Sequence, residues 1–263
     1  MPIEPRAVAI IPARWASTRF PGKPLAQIQN KPMIQWVVEQ AQKASRISEV
    51  IVATDDIRIV EAVHGFGGKA VMTSPDHATG SDRIAEVASG LKCDIVVNVQ
   101  GDEPLIPPQN IDQVVDTLEK DPSLNVATLM MAINDPDEIA DPHVVKVVAD
   151  QKGRALYFSR SPIPFHRDEW ESGSPEDLSK SKDKVMRQVY KHIGLYAYTR
   201  SFVLELSRMA PTPLEQLEKL EQLRILEHGI PIQIGITEQP SMGVDHSEDL
   251  ERVERFLEKQ NQD

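Results

Sequence analysis

Cysteine is almost missing from this 263-residue chain, in which Cys93 stands alone. One thiol excludes an intrachain disulfide framework, and a cysteine-based metal site would need other residue types to complete it, which fits a reducing cytoplasm. Long apolar runs are missing too. None approaches membrane-spanning length, and Met1-Pro2-Ile3-Glu4-Pro5-Arg6 does not lead from a basic segment into an apolar one. The chain is therefore expected to be soluble, unexported and cytoplasmic, with no membrane insertion. Positive charge is scarce: 29 Lys and Arg against 40 Asp and Glu leave a formal charge of -11. A field of that sign repels nucleic acid and anionic membranes, so neither is an expected partner. No internal repeat is visible, and an apolar content of 40% suffices for one good core, so residues 1-263 are read as a single domain.

Against that scarcity, three cations crowd one early segment. The apolar run Val8 to Ile11 leads into Pro12-Ala13-Arg14-Trp15-Ala16-Ser17-Thr18-Arg19-Phe20-Pro21-Gly22-Lys23-Pro24-Leu25. A loop this long between a first strand and a first helix, with no apolar period, is more often functional than decorative. Arg14, Arg19 and Lys23 read as ligands for a small polyphosphate. A Walker-type loop is excluded, because Gly22-Lys23 lacks the upstream glycine and the downstream hydroxyl.

Short, nearly continuous apolar runs at Val8 to Ile11, Val50 to Ala53 and Ile95 to Val99 read as strands buried on both faces of a parallel sheet. Helical stripes separate them: Ile34, Val37, Val38 and Ala41 after Pro32; Ile59, Val60 and Val63; then Ile84, Val87, Ala88 and Leu91. Alternating strand and helix give an α/β fold. A helix near Ile111 to Leu118 and a strand near Val126 to Met131 continue the series. From about 144 to 200 an insertion is expected. Val144 to Ala149 and Ala155 to Phe158 flank a turn and read as an antiparallel hairpin, Asp168 to Lys184 as a mobile polar loop, and Val189 to Tyr198 as a return to the sheet. Thr212-Pro213-Leu214-Glu215 opens a helix carrying Leu217, Leu220, Leu223 and Leu226 as far as Gly229. Pro231 to Ile236 is a strand, and a last helix carries Leu250, Val253 and Leu257.

Ligands of open α/β sheets collect beyond the carboxyl ends of the strands. The cationic loop follows the first strand there, and Gln100-Gly101-Asp102-Glu103-Pro104 follows the third. Cations suit phosphate oxygens, and Asp102 suits a magnesium ion bridging them; read alone, the same segment is an ordinary polar turn. Thr79-Gly80-Ser81-Asp82-Arg83 starts a helix, where Ser81 or Asp82 serves as a cap, or the helix start and the Arg83 guanidinium serve a nucleotide.

Taken in order, several segments resemble the 3-deoxy-manno-octulosonate (Kdo) cytidylyltransferases, also called CMP-Kdo synthetases. They are Ile11 to Arg14 with Ser17 to Leu25, Asp76-His77 with Gly80 to Arg83, Val97 to Pro104, Ala155 to Arg160, His192 to Tyr196, and Leu214-Glu215 with Leu220 to Arg224. Trp15, Phe20 and the long 168–184 segment depart from the family pattern without removing a charged group. The resemblance implies a mostly parallel, Rossmann-like sheet of the nucleotide-diphospho-sugar transferase type with an antiparallel dimerisation insertion, and a homodimer. It implies transfer of CMP from CTP to the anomeric hydroxyl of Kdo for lipopolysaccharide assembly, with Mg²⁺ as cofactor. Arg14, Lys23 and Asp102 would be catalytic. Ala13, Arg14, Arg19, Lys23, Gly80, Ser81 and Arg83 would bind CTP, while Gln100, Arg160, His192, Tyr196, Glu215, Glu221 and Gln222 would bind the acceptor. Asp102 and Asp245 would hold the metal, although Asp245 with Glu248 equally suits a cap for the last helix. His192 is not required as a general base, since metal coordination could acidify the attacking hydroxyl. A sister enzyme for an amino-substituted Kdo and a noncatalytic nucleotide-binding regulator remain the alternatives.

Overall fold

Strand β1 (Ala7–Ala13) alternates between two cores. Ala7, Ala9, Ile11 and Ala13 pack on one face of the sheet, Val8 and Ile10 on the other, so almost every position is apolar. The computed structural model describes residues 6–16, 20–167 and 189–260. Arg19 and the expected 168–184 loop lie outside them. After a two-residue ribbon, β2 (Gln27–Ile28) with β3 (Lys31–Pro32), come α1 (Met33–Gln42), β4 (Ile47–Thr54), α2 (Ile57–Gly65), β5 (Lys69–Met72), α3 (Gly80–Ser89), β6 (Ile95–Asn98), α4 (Pro108–Lys120), β7 (Val126–Ala132) and α5 (Pro136–Ala140). The hairpin of β8 (Lys146–Ala149) and β9 (Ala155–Ser159) follows, then β10 (Tyr190–Thr199) and, after three short helices, β11 (Gln233–Ile236) and the helix Ser247–Gln260. Among these residues no helix is long and apolar enough to cross a membrane.

The main sheet runs β11-β7-β10-β6-β1-β4-β5. Pairings of β1 with β4 and β6, of β4 with β5 and of β7 with β11 are parallel, whereas β10 lies antiparallel between β6 and β7 and also carries the β8–β9 hairpin. Helices α1, α2 and α4 bury Ile34, Val37, Ile59, Val63, Ile111 and Val114 on one face. On the other lie Ile84 and Val87 of α3, Phe202 and Val203 of the helix Arg200–Leu206, and Leu223 and Ile225 of the helix Gln222–Glu227. Because β10 is reversed, its amino-terminal half reaches the edge at which β1 and β6 end.

The helix expected from Thr212 to Gly229 is two helices, Pro213–Glu218 and Gln222–Glu227, broken at Lys219 with φ +54°. Leucines spaced every three residues drift around a 3.6-residue helix, so they cannot share one face for long. Leu217 is 79% exposed, while Leu220 and Leu223 are buried. The break turns Glu221 and Gln222 toward the sheet edge.

Candidate active site

Gly22 has φ +72°, in the left-handed region that glycine tolerates without strain, and a Cβ there would stand 3.0 Å from the Trp15 ring. The Gly22 amide donates to the Trp15 carbonyl at 3.0 Å, closing the cationic loop. The Arg58 guanidinium stacks on the same indole, 3.4 Å from its centroid, and pairs with Asp56 at 2.6 Å. The loop is thus latched at its base, with Lys23 directed across the sheet edge.

Lys23 Nζ donates to Asp102 Oδ2 at 2.7 Å and to the Val244 carbonyl at 2.9 Å. The Val244 amide donates in turn to the Asp102 carbonyl at 2.9 Å, so residues remote in sequence meet at one point, with Asp245 next in the chain. Gly101 makes the meeting possible: a Cβ there would lie 2.7 Å from the Pro12 carbonyl oxygen. Asp102 remains 37% exposed at its side chain. Its neighbour Glu103 accepts from the Ser241 hydroxyl at 2.6 Å; burial, helped by the adjacent Asp102 charge, pushes its carboxyl up to about 7. Asp245 is exposed, and its amide and that of His246 both donate to Asp249 at 2.9 Å. It is Asp249, not the expected Glu248, that accepts hydrogen bonds at the start of the last helix.

Arg14 Nη2 is buried without a hydrogen-bond partner among the described residues. Arg83 is close enough to feel the Arg14 charge but is itself 0% exposed, paired with Asp55 at 2.7 Å and bonded to the Thr73 hydroxyl. Arg83 was expected at the nucleotide; here it is a buried brace. Thr79 is the N-cap of α3 and Asp82 completes a capping box, which leaves Ser81 Oγ to donate to Glu221 Oε2 at 2.8 Å.

Beside this edge lies a pocket of about 260 Å³, lined among others by Ser81, Gln100, His192, Tyr196, Glu221 and Gln222. Gln100 Nε2 donates to the Gly194 carbonyl at 3.2 Å. Burial raises the pKa of the Glu221 carboxyl and of the Tyr196 and Tyr198 phenols. Two residues expected with this group are engaged elsewhere. Glu215 accepts both arms of Arg224, at 2.8 and 2.5 Å, and the Thr212 amide at 3.1 Å. Arg160 donates to the Glu218 and Pro142 carbonyls, each at 2.8 Å. Both stabilise the chain around the pocket instead of lining it.

A family model described as cytidylyltransferase matches residues 8–234. Over 248 residues the chain is 55% identical to the 3-deoxy-manno-octulosonate cytidylyltransferase of Geotalea daltonii, a match covering 94% of this chain and 96% of that protein. The chain belongs to the 3-deoxy-manno-octulosonate cytidylyltransferase family. A solved structure of CMP:2-keto-3-deoxy-manno-octonic acid synthetase complexed with CTP superposes with a TM-score of 0.87 at 42% identity, over 97% of this chain and 99% of that one. The 4-diphosphocytidyl-2C-methyl-D-erythritol synthase of Anaerococcus prevotii, at 13% identity and a TM-score of 0.61 over 97% of this chain and 99% of that one, shares the fold alone. That fold is the mixed α/β, mostly parallel architecture of the nucleotide-diphospho-sugar transferases.

For this cytidylyltransferase-family chain, the protonation of His192 follows from its partner. Thr128 Oγ1 has one proton and lies 2.8 Å from the Leu195 carbonyl and 2.9 Å from His192 Nε2. The carbonyl can only accept, so the hydroxyl donates there and accepts from His192 Nε2–H. The imidazole is neutral, and burial lowers its pKa from 6.5 to about 3. Between those values the unfolded chain binds more protons than the folded one, so stability is lost as pH falls from 6.5 toward 3. Urea unfolding at pH 7 and pH 5 should show His192→Gln losing about 1 to 2 kcal/mol less than the parent over that interval. An equal loss in both proteins would remove His192 as the cause. Thr128, Tyr198 and Asn98 were read only as parts of the segments Val126 to Met131, Val189 to Tyr198 and Val97 to Pro104, with no role of their own; their signal was polarity at buried strand positions.

Proposed function

We propose that the latched loop and the Asp102 edge hold the triphosphate of CTP while the adjacent pocket holds Kdo. The observation that carries this reading is the Lys23–Asp102 ion pair, which brings the cationic loop and the carboxylate edge to one point. The reaction is transfer of CMP from CTP to Kdo, supplying CMP-Kdo for lipopolysaccharide assembly. The anomeric oxygen of Kdo bonds to the α-phosphorus as the bond from that phosphorus to pyrophosphate breaks, and the hydroxyl proton passes to solvent. This chain's residues orient the two reactants and meet the growing charge. Arg14, with a buried guanidinium nitrogen to offer, faces the phosphates. Lys23 exchanges Asp102 for a phosphate oxygen when CTP arrives.

Asp102 and Asp245 suit Mg²⁺ as a donor set: both are oxygen ligands, and the Val244–Asp102 backbone bond keeps their segments adjacent. Among the described residues no group of three or more His, Cys, Asp or Glu is placed to hold a metal. Two carboxylates nonetheless match magnesium's habit of completing its shell with phosphate and water. When bound, the ion would neutralise phosphate charge and favour departure of pyrophosphate.

A pyrophosphate-release assay tests the reading. Release should require CTP, a divalent cation and Kdo together, and parallel reactions with an amino-substituted Kdo separate the two acceptors. Release that is rapid with the amino sugar and absent with Kdo would overturn the choice; CTP binding without any release would indicate a regulator. In the same assay Lys23→Ala should raise the KM for CTP by about 10- to 100-fold, since a charge-assisted contact to phosphate is lost. We also infer a homodimer formed through the β8–β9 hairpin, on which Leu156 is 62% exposed. Light scattering should give twice the chain mass, falling to one chain for Leu156→Asp; a monomeric parent at assay concentration would refute the dimer. A biosynthetic role of this kind belongs in the cytoplasm.

A further inference from the structure

Asn98 ends β6, a strand otherwise made of Ile95, Val96 and Val97. Period-two alternation sends Val96 and Asn98 to the face that carries Ser81, Tyr196 and Tyr198, and Asn98 pairs in register with Tyr196 of β10. The residue is 4% exposed, it lines the 260 Å³ pocket, and its Oδ1 is buried without a hydrogen bond among the described residues. Three donors around the same pocket are committed elsewhere: Ser81 Oγ to Glu221, Gln100 Nε2 to the Gly194 carbonyl, and His192 Nε2 to Thr128. A buried acceptor left unpaired weakens a fold, so its presence calls for a compensating role.

We propose that Asn98 is a specificity-determining residue, whose side-chain oxygen accepts a hydrogen bond from one hydroxyl of the acceptor sugar. This rests on the reading that the pocket holds Kdo. A buried acceptor that no donor among the described residues reaches selects for a ligand that brings its own donor. An analogue lacking that one hydroxyl enters the same space and leaves Oδ1 unpaired, so it is disfavoured by more than the lost contact alone.

The test joins two variants to a set of Kdo analogues, each lacking one hydroxyl, with thermal unfolding measured alongside kinetics. Asn98→Leu should raise the KM for Kdo about 5- to 100-fold and leave the KM for CTP within about twofold. Its Tm should be unchanged or about 2 to 4 °C higher, because an unsatisfied buried acceptor has gone; a structural asparagine would give a fall. One analogue should handicap the parent as much as the substitution does, and handicap Asn98→Leu no further. If all analogues handicap both proteins equally, the proposal is overturned. Gln222→Leu supplies the reference for the pocket. Should it raise the KM for Kdo while Asn98→Leu does not, Asn98 falls and the pocket reading stands; if neither moves that KM, both fall. Asn98→Ala, which adds no bulk, replaces the leucine variant if that fails to fold, and failure of both marks Asn98 as structural and overturns the proposal.

Discussion

Asp102→Ala should lower the rate of cytidylyl transfer by about 10²- to 10³-fold or more while CTP still binds within about tenfold of its normal affinity. The asymmetry follows from what Asp102 touches. Its carboxylate engages Lys23 at 2.7 Å, and its backbone holds the Val244 segment, a link the substitution leaves intact. Removing the carboxylate releases Lys23 to a phosphate oxygen, so binding is partly compensated. The reaction is not, because the proposed metal loses one of its two carboxylates. Asp102→Asn, which keeps the shape and removes the charge, should show the same deficit. Pyrophosphate release with calorimetric titration of CTP reads both quantities; metal-dependent turnover within tenfold of the parent would sink the metal role.

The largest expected loss of stability comes from Arg83→Met. The guanidinium is fully enclosed, paired with Asp55 and bonded to Thr73, and its Nε has no partner among the described residues. Burial lowers its pKa, and the Arg14 charge opposes it further, so the Asp55 pair is what sustains the charge there. Cutting one partner from such a pair leaves a carboxylate uncompensated at about 3 to 5 kcal/mol. Joining Asp55→Leu to Arg83→Met should recover more than half of that, since replacing both charges by apolar groups is often close to neutral. Denaturant midpoints for the two proteins decide the matter; equal midpoints would mean that the pair is not what holds Arg83 in place.

Much of the fold was legible because both faces of the central strands are covered. Val8 to Ile11, Val50 to Ala53 and, but for Asn98, Ile95 to Val99 are apolar without alternation, and all three fall on adjacent parallel strands. The β8–β9 hairpin and the return at β10 were readable from turn chemistry and alternation. The position of β10 in the sheet was not: nothing local in Tyr190 to Thr199 says that it separates β6 from β7. The break at Lys219 was hidden because leucines three apart imitate a helical stripe over one or two turns. At the site, the Gly101-Asp102 edge stood out as a glycine and a carboxylate after a buried strand. Glu215 and Arg83 did not betray their engagement, because an ion pair between residues nine or twenty-eight apart leaves no mark in either neighbourhood.

The reversed strand has a consequence for synthesis. By the time β7 leaves the ribosome, β1, β4, β5 and β6 have left before it, yet β6 still lacks β10 and β7 lacks both β10 and β11. Until residues 190–199 emerge, β6 keeps an open edge and β7 stays outside the sheet, a state prone to pairing with other chains. Closure then comes from non-local contacts, such as Tyr198 with both Val96 and Val126, the slow kind to form. His192, Gly194 and Tyr196 arrive with the same strand. The step that joins β7 to the sheet therefore also brings these pocket residues, with Glu221 and Gln222 still to follow, so a chain truncated before Tyr190 would have neither the joined sheet nor the pocket.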